Sequence, residues 1–209
     1  MPTPINNDHP VMIATLIEEQ YGAVEFEFSN YVYIPQTVGE HREPFLVRGE
    51  YLTKDFVSRL IGELKEGQEL AFHSRVKLPD GTILHIPMLD FVGKHIVKDW
   101  STVDMTLPKE LLERFYLFDS GRSFHGYSLH LISEREWMRF MGALLLMNLP
   151  LKSAIVDHRW VGHRLRGGFS ALRWSCNTSH YKKIPQLFGQ FGPLAQRTIG
   201  AEVLSFAAS

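Results

Sequence analysis

Two extended runs, Glu69 to Leu78 and Thr82 to Phe91, flank Pro79-Asp80-Gly81, and this segment most narrows the folds open to the chain. Asp and Gly tolerate positive φ, so the tripeptide can reverse the chain tightly and pair the two runs antiparallel. The second run then delivers Asp90 to a strand end. Val24, Phe26 and Phe28 alternate with Glu25 and Glu27, and Ser29-Asn30 before Tyr31 to Ile34 reads as another hairpin. Pro44 to Tyr51, Tyr116 to Phe118, Phe124 to Ile132, Ala154 to Trp160 and Phe169 to Ser175 read as further strands. Helix signals lie between them. Val11 to Gln20 has helical apolar spacing and a stop at Gly22, and Thr53 can cap a helix presenting Phe56, Leu60, Ile61 and Leu64 before Gly67. Pro108 opens a short helix, and Ser133 with Glu136 forms a capping box for a helix running to about Met147. The expected class is α+β, with a largely antiparallel central sheet flanked by helices.

The chain has 209 residues, 44% apolar and 22% charged, enough for one packed core and too few for two enzymatic domains. A single domain over 1–209 is expected, with residues 1–66 as a smaller α/β unit beside a core formed by 67–209. A formal charge of -1 excludes a protein that coats DNA through bulk charge. The charge is uneven, however. Residues 1–150 carry 14 basic and 21 acidic side chains, whereas residues 151–209 carry 8 and 2, which points to a local phosphate-binding surface near the C-terminus. The one cysteine, Cys176, excludes an intramolecular disulfide and suits a reducing cytosol. The apolar stretch Gly142 to Leu151, broken by Asn148 and Pro150, falls short of the ~20 residues that span a bilayer. Met1 to Pro10 lacks the charged start and apolar centre of a signal peptide. A cytoplasmic location with no membrane partner is expected.

Three clusters carry chemistry. Asp90 follows Ile86-Pro87-Met88-Leu89, and Asp157 follows Ala154-Ile155-Val156, so each expected strand ends in an acid. If the strands are neighbours, the carboxylates can hold divalent cations by oxygen ligation; the plainer alternative is that each Asp caps a turn. In Ser120-Gly121-Arg122-Ser123-Phe124-His125, period two puts Ser123 and His125 on one strand face, where hydroxyl and imidazole can bond triphosphate oxygens and Arg122 adds charge. An ordinary Ser-Gly turn with a satisfied histidine would look the same. From Asp157 to Asn177, Arg164, Arg166 and Arg173 are interleaved with glycines and aromatics, a pattern that suits phosphate approach and base stacking or, more plainly, a solvated face.

Taken together and in order, Met88-Leu89-Asp90-Phe91-Val92, Ser123-Phe124-His125 and Ile155-Val156-Asp157 resemble the archaeo-eukaryotic primase superfamily. That superfamily includes the primase-polymerases of bacteria and their mobile elements, and it is marked by Asp-x-Asp, Ser-x-His and apolar-Asp. His163-Arg164-Leu165 and Leu172-Arg173-Trp174-Ser175 with Asn177 resemble the segment after the last Asp, so the likeness spans about residues 69–185. The resemblance implies nucleotidyl transfer from nucleoside triphosphates to a DNA or RNA strand, with Mg²⁺ or Mn²⁺ as cofactor and a separate helicase or other replication or defence protein as partner. By the same resemblance, Asp90 and Asp157 are metal ligands and catalytic with His125. Ser120, Arg122, Ser123, His125, Arg164, Arg166 and Arg173 would contact nucleotide. Val92 stands where the second acid of Asp-x-Asp belongs. Asp119 could substitute in space, the site could hold one ion, or catalysis could have lapsed, leaving a primase-like binding module. A separate zinc reading gathers His158, His163, Cys176 and His180.

Overall fold

The computed structural model describes residues 5–39, 41–97 and 100–191. The elements in order are α1 (Val11–Tyr21), β1 (Glu25–Val32), β2 (Arg42–Arg48), α2 (Lys54–Gly62), β3 (Gln68–Lys77), β4 (Ile83–His85) and β5 (Met88–Asp90). They continue with α3 (Trp100–Thr106), α4 (Lys109–Leu112), β6 (Phe115–Asp119), β7 (Phe124–Ser128), α5 (Glu134–Leu146), α6 (His158–Gly167), β8 (Ala171–Arg173) and β9 (Gln186–Phe191). This is an α+β architecture in which every strand pairing is antiparallel. The strands divide between two sheets: one has the order β2-β1-β3-β4 with β8 also on β3, and the other has the order β5-β7-β6-β9. No helix among the described residues is long and apolar enough to cross a membrane.

The helix signals form as their chemistry requires. Thr53 accepts from the Phe56 N–H at 3.2 Å, and Ser133 and Glu136 close a reciprocal capping box at the start of α5. Gly22, at φ 84°, ends α1. Two expected strands come out differently. Ser29-Asn30 makes no turn; β1 runs straight through it and pairs with β2, while a register shift between Phe26 and Phe28 lets both Phe28 and Ser29 be buried. The Ser29 hydroxyl is satisfied by side chains in the sheet, which removes its reason to turn the chain. Ala154 to Trp160 is likewise not one strand, because α6 begins at His158 with Asp157 as its N-cap.

The Pro79-Asp80-Gly81 hairpin forms, but its second arm is split. β4 pairs with β3, then Pro87, lacking an N–H, interrupts the ladder and β5 joins β7 in the other sheet. Asp90 is therefore carried to the seam between the sheets. One face of the second sheet, with Met88, Tyr116, Phe118 and Tyr127, packs against Phe26, Phe28, Phe72 and Trp174 of the first-sheet side. The opposite face, with Leu89, Phe91, Phe115, Leu117 and Phe124, packs against Trp137, Phe140, Met141 and Leu144 of α5. β1 and β3 bond across the boundary expected near residue 66.

Gly126 sits where this second face is tightest. A Cβ there would lie 2.3 Å from Phe115 Cζ and 3.2 Å from Phe91 Cε2, and both rings are buried. Gly126→Ala is expected to cost roughly 2 kcal/mol by overpacking, read as a lower urea midpoint at unchanged slope. An unchanged midpoint would show that the two rings move aside freely.

Candidate active site

Asp90 and Asp157 meet through the backbone before they meet through their side chains. Phe91 bridges Val156 antiparallel, the Val92 N–H donates to Ile155 O at 2.9 Å, and the Asp157 N–H donates to Asp90 O at 3.0 Å. This short pairing lays the apolar-Asp segment beside the end of β5. Asp157 then turns the chain into α6, its Oδ1 accepting from the N–H groups of Arg159 and Trp160 at 2.8 and 3.1 Å. It is thus a cap, the plainer of the two roles the sequence left open, and it also lines the cavity.

Asp90 stands opposite His125 in the β5–β7 register, with its Oδ1 3.9 Å from His125 Nε2. Burial, then the neighbouring Asp157 charge, pushes the Asp90 carboxyl up to about 7, against the pull of Arg173 and Arg164. Burial, helped by Arg173, pushes His125 down to about 3, so its ring is neutral near pH 7. Its buried Nδ1 has no hydrogen-bond partner among the described residues.

A cavity of about 450 Å³ opens at this seam, lined by Asp90, His125 and Asp157 and also by Arg42, Arg164 and Arg173. Tyr31 and Tyr181 complete the wall near the arginines. Arg173 is buried, and Tyr181 covers its guanidinium at 3.9 Å. It donates to Ser120 O at 2.9 Å and Lys183 O at 3.1 Å, and also to Ser175 O. Carbonyl dipoles thus fix its direction without neutralising its charge. The Ser120–Ser123 turn is the clamp: Ser120 Oγ bonds Ser123 O at 3.0 Å and lies 3.1 Å from its Oγ, while Ser120 O accepts from Arg173.

Of the residues singled out in the sequence, Asp90, His125, Asp157, Arg164 and Arg173 come together around the cavity, and Ser120 and Ser123 stand behind Arg173. Arg122 is exposed in its turn. Arg166 is exposed too, donating to Val38 O at 2.8 Å and tying α6 to the β1–β2 connection. Asp119 faces away from Asp90 on the second sheet and is occupied. Burial acts to raise its carboxyl, but hydrogen bonds from Lys183 at 2.8 Å, Lys94 at 2.9 Å and the Gly121 N–H hold it below its usual range. Val92 is 49% exposed, so it has not turned into the core. The zinc grouping does not assemble: among the described residues no three His, Cys, Asp or Glu side chains gather as metal ligands. Sequence reading missed Arg42, Tyr31 and Tyr181, none of which sits in a recognisable motif.

Asp90 and Asp157 suit a hard divalent cation. They are two oxygen donors in one cavity, and one of them is desolvated and strained by the charge of the other, a strain that a cation would relieve. Two carboxylates fit one ion of the Mg²⁺ type, which ordinarily takes one or two carboxylates and fills its remaining positions with water and phosphate oxygens.

Residues 48–186, about two-thirds of the chain, match the family described as AEP-like: Archaeo-eukaryotic primase 1D-like. The chain belongs to this family. Its fold is shared with a crystal structure of primase RepB′, at a TM-score of 0.50 and 10% identity over 95% of this chain and 62% of that one. A crystal structure of the catalytic domain of primase RepB′ in complex with initiator DNA aligns at a TM-score of 0.49 and 11% identity, over 96% of this chain and 94% of that one. No curated protein matches the sequence. The order of acid, Ser-x-His and acid that pointed to the primase superfamily thus lies within a domain of that superfamily.

Proposed function

We propose that this primase-family domain transfers nucleotides from nucleoside triphosphates onto a nucleic-acid strand at the cavity between its two sheets. The observation that carries the reading is the mixed charge of that cavity, whose lining brings Asp90 and Asp157 together with Arg42, Arg164 and Arg173. A polyphosphate needs both, because its oxygens are matched by guanidinium donors while carboxylates hold the cation that accompanies them. When bound, Mg²⁺ or Mn²⁺ supplies charge neutralisation and orientation at the phosphates. Asp90 and Asp157 hold it. Arg173, aimed by the Ser120 turn, positions the anionic end of the nucleotide, with Arg164 adding charge from α6. His125, neutral beside Asp90, lines the cavity and presents Nε2, 3.9 Å from Asp90 Oδ1, toward a phosphate or sugar oxygen, so Ser-x-His acts here chiefly through its histidine while the Ser120–Ser123 turn braces Arg173.

A second reading, a binding module that retains the pocket without forming phosphodiester bonds, is favoured by Val92 in place of an acid and by the lysines that engage Asp119. Incubating the protein with labelled nucleotides and single-stranded or primed template in Mg²⁺ and in Mn²⁺ separates the two. Product in either metal supports transfer; metal-dependent nucleotide binding without product supports the module.

A further inference from the structure

A buried polar chain runs through the first sheet toward the same cavity. His73 Nδ1 lies 3.3 Å from Glu27 Oε2, its Nε2 lies 2.7 Å from Ser29 Oγ, and Arg42 Nη1 donates to that hydroxyl at 3.1 Å. Arg75 also reaches Glu27 Oε2, at 3.6 Å. Ser29 and His73 are wholly buried, and the His73 ring stacks on Phe169 at 4.3 Å. Order and spacing are those of a Ser-His-carboxylate nucleophile, but a hydroxyl with no exposed surface meets no substrate. The hydroxyl is instead committed to Arg42. Because Ser29 accepts from a guanidinium that can only donate, its own proton is directed to His73 Nε2, which leaves the Nδ1 proton facing the Glu27 carboxylate. The hydrogen-bonded chain thus runs from Arg42 through Ser29 to His73, and Glu27 Oε2 stands beyond it in charge contact without closing a hydrogen bond.

Such a chain fixes the direction of the guanidinium it ends on. Arg42 lies over the Tyr31 ring at 4.5 Å and lines the cavity shared by Asp90, Asp157 and Arg173. It stands before residue 48, where the family match begins. We infer that Arg42 is a phosphate-binding residue of this cavity, with Ser29 and His73 as its positioning residues. The inference rests on the nucleotide-transfer reading and deepens it. The oxyanion it meets belongs either to the incoming triphosphate or to the backbone of the nucleic-acid strand, and guanidinium chemistry is the same for both.

Binding of a nucleoside triphosphate with Mn²⁺ and of a short single-stranded oligonucleotide should be measured for the wild type, Arg42→Ala and Ser29→Ala, together with melting temperatures. Arg42→Ala is expected to weaken one of the two ligands by about tenfold to a hundredfold, the loss of a charge-assisted bond. Which ligand weakens identifies the source of the phosphate. Ser29→Ala keeps the charge and loses its aim, so it should weaken the same ligand by roughly threefold to tenfold, raising KM more than it lowers kcat. Wild-type binding with both variants unchanged overturns the role of Arg42. A Ser29→Ala protein that melts lower yet binds normally shows the chain to be structural and overturns the positioning role. A wild type that binds neither ligand overturns the site reading itself, and this inference with it.

Discussion

Asparagine in place of Asp157 is expected to lower nucleotide incorporation by about a thousandfold or more while leaving the fold nearly intact. Removing one of two carboxylates that hold the cation forfeits several kcal/mol of charge stabilisation, and each ~1.4 kcal/mol is a factor of ten in rate. The fold should survive because Asp157 has a second role that asparagine can keep. Its Oδ1 caps α6 through the N–H groups of Arg159 and Trp160, and Asn and Asp are near-equal caps. Alanine would remove the cap as well and cost about 1 kcal/mol of stability, so Asp157→Ala confuses two effects that Asp157→Asn separates. Labelled-nucleotide incorporation and thermal melting on the same preparation read both. Activity within tenfold of wild type at an unchanged melting temperature would place the chemistry away from Asp157.

Stability should fall steeply as the pH drops from 6.5 toward 4. Burial pushes His9, His73 and His85 down to about 4 and His125 to about 3, from an ordinary value of 6.5. The neutral rings are also built into the packing. His9 Nδ1 accepts from the Val11 N–H, and His85 Nδ1 is bonded to Ser74 Oγ at 3.0 Å. Between pH 6.5 and 4 the unfolded chain binds protons at these four positions that the folded chain does not, so acid favours unfolding. Their stabilisation is fully present above 6.5 and is lost below it. Asp90 acts in the opposite sense over the same window: its carboxyl, raised to about 7, keeps a proton in the fold that the unfolded chain has released until well below pH 5. Four rings less one carboxyl leave a net uptake on unfolding of about three protons near pH 5.5, or ~4 kcal/mol per pH unit. Urea titrations at half-unit intervals from pH 7 to 4.5 measure this slope. A flat profile, or stability that rises toward pH 5, would mean that these rings are hydrated or charged in the native protein.

Signals carried by a few neighbouring residues were legible in the sequence. The Pro79-Asp80-Gly81 turn, the Thr53 cap and the Ser133–Glu136 capping box are local chemistry that tertiary structure left alone. The order of Asp90, Ser123-Phe124-His125 and Asp157 was legible for a related reason, since it is a mark read along the chain, and it lies within the residues that match the family. Ser29-Asn30 misled because a buried serine with partners on neighbouring strands is indistinguishable in sequence from a serine that turns the chain. α6 was hidden for a different reason. Its buried positions include Val161 and Arg164, and a buried arginine registers as polar, which erases the apolar stripe by which a helix is recognised. The division into two sheets turns on Pro87, one residue inside an otherwise continuous extended run. Arg42 was illegible because what places it, the Glu27–His73–Ser29 chain, joins residues from two strands and acquires meaning only once β1 and β3 lie side by side.

That Asp90 and Asp157 act with the arginines of the cavity on one metal-bound triphosphate is a claim about binding, and calorimetric titration reads binding itself. A nucleoside triphosphate is titrated into the wild type and into Asp90→Asn, each with and without Mn²⁺. Mn²⁺ is expected to tighten binding to the wild type by at least about tenfold, and Asp90→Asn is expected to lose that gain while keeping the weaker, metal-independent affinity supplied by the arginines. Equal affinities for both proteins, with Mn²⁺ making no difference to either, would contradict the claim.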